Sequence, residues 1–156
     1  MELTVECVLT IINGAISGKS RVAIDNAFEK YDDVFKERNI VEQRFREVID
    51  IIYKNFEGSS SEFAFFKNTL IYTFFSFIYD LTFRLNMPIS KSSRQRRLSA
   101  ADIGGIEHAS KKIQTRSTSV PTDVLNATDR RTTNPKERKI LFKYLKSCVK
   151  NAKTHK

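Results

Sequence analysis

The sequence predicts an all-α fold, an irregular multi-helix bundle around a central hydrophobic helix at about residues 68–85. Three observations on the 156-residue chain carry that expectation. Asn68 to Leu85 is apolar on nearly every face, Phe is abundant (12) while Gly (5) and Pro (3) are scarce, and other segments repeat apolar residues at helical spacing. Scarce Gly and Pro leave little turn chemistry for a β fold, and a helix apolar nearly all round belongs at a bundle centre or in a membrane. Polar residues decide between the two. Thr69, Thr73, Ser76, Asp80 and Arg84 fall three or four apart and form one narrow stripe. A span needs about 20 mostly apolar residues with few charges, whereas this run is shorter and carries Asp80 and Arg84, spaced for an ion pair. No membrane partner is expected.

The other elements follow in order. Val5, Val8, Leu9, Ile12 and Ile16 predict a short first helix, broken at Asn13 to Gly18. A second helix is expected from about Ser20 to Arg38, burying Ile24, Ala27, Phe28, Tyr31, Val34 and Phe35. A third, from Ile40 to Phe56, carries Val41, Phe45, Val48, Ile49, Ile52 and Phe56 on one side. Because the apolar stripe slips in phase near Asn39, a kink, a short turn or a rotation of the buried face is expected there. Gly58 ends the third helix, and Ser59 with Glu62 has the spacing of a capping box opening the next. Pro88 stops the central helix near Asn86.

Asn86 to Ala101 is polar, basic and without periodicity, a linker. Ser99 and Asp102 can cap a helix through Ile103, Ile106, Ala109 and Ile113, weakened by Gly104 and Gly105. After a break at Thr115 to Ser119, Pro121 opens a short helix with Val124 and Leu125, and Asp129 to Thr133 reads as a loop. The last helix is the best marked: Asn134 as N-cap, Pro135 at the first helical position, Glu137 completing the cap spacing. Ile140, Leu141, Tyr144, Leu145, Cys148 and Val149 form its buried face. The organisation is thus a helical core at 1–85, a basic linker at 86–101 and a basic helical part at 102–156 that packs on the core.

Charge is unevenly distributed along this plan. The net charge is +9. Residues 1–85 hold 10 basic and 13 acidic residues, a balance of −3, and residues 86–156 hold 17 and 5, a balance of +12. A surplus confined to one half points to an anionic partner, nucleic acid first. Two basic constellations stand out: Lys91, Arg94, Arg96 and Arg97 in the linker, and Arg130, Arg131, Thr132 and Thr133 leading into Lys136, Arg138 and Lys139. In the second, helix-start amides, Thr hydroxyls and Arg side chains together can hold a phosphate.

Catalytic signals are weak. His108 and His155 are the chain's two histidines, and neither has a local partner for acid–base work. Cys7 and Cys148 lack metal or redox spacing and read as core residues in a reducing compartment. Neither a metal set nor a nucleotide-binding glycine loop is present, so no cofactor and no catalytic residue are expected. The N-terminus lacks a basic region and a cleavage site, and a cytoplasmic protein is expected.

Three stretches carry a resemblance: FEKYDDVFKERNIVEQRFREVIDIIYKNF, FFKNTLIYTFFSFIYDLTF and NATDRRTTNPKERKILFKYL. The chain resembles the C-terminal helical region of the bacterial ParB-like (DGQQR-motif) protein family related to GmrSD modification-dependent restriction systems. The likeness runs across most of the chain and is tightest at Asp129 to Arg138. It implies a fragment or stand-alone version of a DNA-targeting defence protein. The family's N-terminal motif and its HNH nuclease are absent from the sequence, so no catalytic residue carries over. What the resemblance implies here is a helical module that contacts DNA or docks on a ParB-like N-terminal domain or another subunit.

Overall fold

The apolar run is a helix, but a shorter one than its sequence suggests. A computed structural model describes residues 2–59, 62–89, 96–130 and 134–154. Among the described residues there are seven α-helices, one 3-10 turn and no strand. The helices are α1 (Glu2–Asn13), α2 (Arg21–Tyr31), α3 (Arg38–Phe56), α4 (Ile71–Phe83), α5 (Ala100–Gln114), α6 (Thr122–Asp129) and α7 (Pro135–Thr154), with the 3-10 turn at Ala64–Phe66 between α3 and α4. The chain is all-α, arranged as a bundle around α4.

Ten of the thirteen residues of α4 are buried. On one side it packs against α1 and α3, on the other against α7, which in turn carries α5 and α6. The expected polar stripe is inside the bundle at Thr73 and Ser76, half-buried at Thr69 and Asp80, and exposed at Arg84. Ser76 on the stripe, and buried Thr82 elsewhere on the helix, donate to the carbonyls of Tyr72 and Ile78, each at 2.8 Å, a back-bond that satisfies a buried hydroxyl without a tertiary partner, whereas the Thr73 hydroxyl has no hydrogen-bond partner among the described residues. Asp80 does not pair with Arg84. It accepts from the Leu85 amide at 2.9 Å and faces Lys146 of α7 at 3.4 Å, while Arg84 takes a positive φ of 65° and ends the helix.

One hydrophobic cluster reaches from Cys7 and Ile11 through α3 and α4 to Ile106, Leu141 and Val149. The acidic and basic parts of the chain thus share a core. Two glycines make close approaches possible. Gly14, with φ 61°, brings its carbonyl to the Asn86 amide at 2.9 Å and ties the end of α1 to the end of α4. Gly105 lets α5 lie directly on α7: a Cβ there would stand 2.8 Å from Val149 Cα and 3.1 Å from the Cys148 carbonyl. The helix weakness expected of Gly104 and Gly105 is the cost of that contact. Gly105→Ala should destabilise the fold by about 1–3 kcal/mol through overpacking. Gly104→Ala points into open space and should stabilise by up to about 1 kcal/mol through helix propensity. Urea unfolding of the two variants checks this opposition of sign.

Three expected elements differ. The second helix ends at Tyr31, not Arg38, and of its predicted buried face only Ile24 is buried, while Phe28 and Val34 are exposed. Consecutive carboxylates at Asp32 and Asp33 oppose the negative end of a helix dipole, and the break lies at residues 32–37, ahead of Asn39. Ser59 and Glu62 open no α-helix. Phe63 and Phe65 are both buried against Phe74, Phe63 also touches Phe56, and a 3-10 turn rather than an α-helix places them there. The Ala64 amide is satisfied by the Ser110 hydroxyl at 2.8 Å.

Candidate nucleic-acid interface

α7 is 20 residues long, about 30 Å at 1.5 Å per residue. Asn134 caps it, its Oδ1 accepting the Lys136 amide at 2.9 Å. Leu141, Leu145 and Val149 face the core, and at 100° per residue the opposite side presents Lys136, Lys139, Lys143, Lys146, Lys150 and Lys153. These six lysines recur every three or four residues, fall within an arc of about 100° and run for about 26 Å. All six are exposed. Lys146 faces Asp80 at 3.4 Å and Lys153 faces Asp102 at 2.8 Å. Lys136, Lys139, Lys143 and Lys150 have no carboxylate within 4.0 Å among the described residues. The result is a straight cationic ridge.

Five of the predicted site residues have a described place at or near this ridge. Arg130, exposed, lies before its N-terminal end, with Nη1 3.7 Å from Glu137 Oε1. Lys136 and Lys139 belong to the ridge itself. Arg96 sits near the other end, sharing the carboxylate of Asp102 with Lys153 and lining a cleft with Lys146. Arg97 is exposed beside it. Arg130 of one constellation and Arg96 of the other therefore stand towards opposite ends of one helix. Lys91, Arg94, Arg131, Thr132 and Thr133 lie outside the described residues. The cleft at the start of α7 carries Asp123 and Glu137 beside Arg130 and Lys136, two charges of each sign. Among the described residues it is not a cationic phosphate cradle, and the ridge is the stronger anion surface.

Arg138 is a correction. It is 3% exposed and cannot face a nucleic acid. Its Nη1 donates to the Ser17 carbonyl at 2.8 Å, its Nη2 to Glu6 Oε1 and Oε2 at 3.2 and 3.3 Å, and its guanidinium lies 3.7 Å from the Tyr72 ring centre. Tyr72 Oη shares a 2.7 Å hydrogen bond with Thr10 and accepts the Ser17 amide at 3.0 Å. This buried network clamps α1 and α4 to α7. Arg44 is buried in a comparable way, donating to Tyr79 Oη at 2.9 Å and to the Ile89 carbonyl at 3.2 Å. The signal for both was helical phase: Arg44 falls with Val41, Val48 and Ile52, and Arg138 with Leu141, Leu145 and Val149.

Asp102 anchors the far end of the ridge. Its carboxylate accepts the Ser99 amide and hydroxyl, each at 2.8 Å, while Ser99 Oγ accepts the Asp102 amide at 3.2 Å, completing the predicted capping box. Burial alone would raise this carboxyl, but the Lys153 ammonium, the two Ser99 donors and the Arg96 charge outweigh it and hold it at about 2, below the ordinary 3.8. A depressed folded value adds stability above the unfolded value that is lost as pH falls through the folded one. The contribution, about 2 kcal/mol, should therefore be intact above about pH 4 and fade towards about pH 2. Asp102→Asn should remove that acid-range dependence in unfolding measurements.

Other reactive groups are scattered. Burial pushes the Cys7 thiol up to about 12, with Glu6 adding to the effect, so Cys7 is held as an inert core thiol. His108 is exposed on α5. No group of three His, Cys, Asp or Glu residues able to hold a metal occurs among the described residues, and no helix there is long and apolar enough to cross a membrane. No family model, no curated protein and no solved structure matches this chain.

Proposed function

We propose that this chain is a non-catalytic helical module that binds nucleic acid through the lysine ridge of α7, within a DNA-targeting bacterial defence protein of restriction type. The observation that carries the binding reading is the ridge itself, six exposed lysines in one arc over about 26 Å with four of them free of carboxylate partners among the described residues. Such a surface neutralises backbone phosphates and releases counterions. It offers ammonium groups only. Lysines on a phosphate path fix register without reading bases, so binding should be indifferent to sequence. The defence context rests on the resemblance of the chain to the ParB-like family, and the DNA preference rests on the same ground.

The test is a titration of two fluorescently labelled duplexes of unrelated sequence at about 50 mM salt. Saturable binding with equal affinity for both is expected. Undetectable binding to either sinks the reading, and strong preference for one sinks its backbone-only form.

A further inference from the structure

The C-terminal end of α4 frames a cleft of about 670 Å³, within the roughly 300–1,000 Å³ of small-molecule sites. Leu81 and Met87 give it an apolar wall, and Arg84, Arg96 and Lys146 give it three cations, against one carboxylate, Asp80, among the described residues that line it. Two of these cations are shared with acids. Lys146 faces Asp80 at 3.4 Å, and Arg96 divides Asp102 with Lys153. Four cations thus stand against two carboxylates, and the group keeps a positive excess. Arg84 supplies an unpaired charge: it is exposed and has no carboxylate within 4.0 Å among the described residues. The carbonyl end of a helix is negative, but the Thr82 carbonyl accepts the Arg96 amide at 3.1 Å, which also fixes the Arg96 backbone at the cleft.

Arg84 is also strained. Its φ is 65° and its ψ 120°, a backbone state open to glycine and costly for a residue with a side chain. An arginine held where glycine would be relaxed, with no carboxylate partner in return, points to a use for its guanidinium. The lining narrows that use. Cations in this number suit a phosphate, and the apolar wall suits the face of a base. A lone phosphate would leave the wall unused, and a lone base would leave the cations unused. We propose that this cleft binds a nucleoside phosphate, with the base against Leu81 and Met87 and the phosphate held by Arg84, Arg96 and Lys146. The exposed Asn86 carboxamide on the same wall can both donate to and accept from a base edge. The nucleotide is either free or the end of a strand lying on the ridge, to which Lys146 also belongs.

The experiment titrates the isotope-labelled full chain with adenosine 5′-monophosphate, adenosine and inorganic phosphate, followed by NMR. The monophosphate should give saturable shifts of amides in residues 81–87 and at Arg96, with an affinity about tenfold or more above that of either part. Arg84→Gly should weaken it by about tenfold or more, while the thermal midpoint stays at or above that of wild type because glycine relieves the positive φ. The source of the nucleotide is read from duplexes. Tighter binding of a 5′-phosphorylated duplex than of its 5′-hydroxyl form, competed by the monophosphate, assigns the cleft to strand ends; monophosphate binding that leaves duplex affinity unchanged assigns it to a free nucleotide. No saturable shift up to about 10 mM monophosphate, shifts confined to the ridge, an equal response to inorganic phosphate, or binding unaffected by Arg84→Gly overturns the proposal. Nucleotide binding by a chain that binds no duplex would leave the cleft standing and overturn the ridge alone.

Discussion

Arg138→Ala is expected to destabilise the protein by about 3–5 kcal/mol, the range for removing one partner of a buried ion pair. The side chain is 3% exposed and Glu6 is 6% exposed, so its loss leaves a buried carboxylate without the guanidinium that faces it. The Ser17 carbonyl loses its donor at the same time, and Tyr72 loses a cation over its ring. Net stabilities of about 5–15 kcal/mol are usual for a domain, so this one change removes a large share. The paired replacement Glu6→Leu with Arg138→Met should be far milder, within about 2 kcal/mol of wild type, because it removes both charges and keeps apolar volume. Urea unfolding followed by circular dichroism checks both. A single-variant loss below about 1 kcal/mol would mean that the clamp between α1 and α7 contributes little.

The second large effect concerns binding. Reversing Lys139, Lys143 and Lys150 to glutamate should lower duplex affinity by on the order of 100-fold or more at about 50 mM salt. All three are exposed on the ridge, and surface substitutions of this kind usually change stability by about 0.5 kcal/mol or less each. The matched control reverses Lys30, Lys36 and Lys54, which are equally exposed but belong to the acidic half. Both variants change net charge by the same amount. If the ridge is the interface, the control should lose about tenfold or less through long-range field alone. Equal losses would assign binding to overall charge rather than to α7.

Much of this architecture was legible because local signals agreed with global packing. Asn134 and Pro135 set the start of α7, Ser99 and Asp102 built their capping box, and the apolar density of residues 71–83 placed α4 at the centre. The failures have physical causes. Along Phe28, Tyr31, Val34 and Phe35 the periodicity read as one helix face, but α2 ends at Tyr31, so Tyr31 and Phe35 are half-buried while Phe28 and Val34 stay exposed. At residues 63–66 aromatic burial overrode a capping signal. For the site, counting charge found the basic half but did not distinguish Arg138 from its neighbours, although its phase with Leu141 and Leu145 places it on the buried face. Lys143, Lys146, Lys150 and Lys153 complete the ridge through the same periodicity, which the two loop-centred constellations did not use.

The salt dependence of duplex binding tests the central claim most directly. Four ridge lysines without carboxylate partners, or six when Lys146 and Lys153 exchange Asp80 and Asp102 for phosphate, give a slope of log affinity against log salt of about −4 to −5. A slope in that range, reduced by about 3 in the Lys139, Lys143 and Lys150 variant, is the expected result. Undetectable binding at about 50 mM salt, or a slope shallower than about −1, would contradict it.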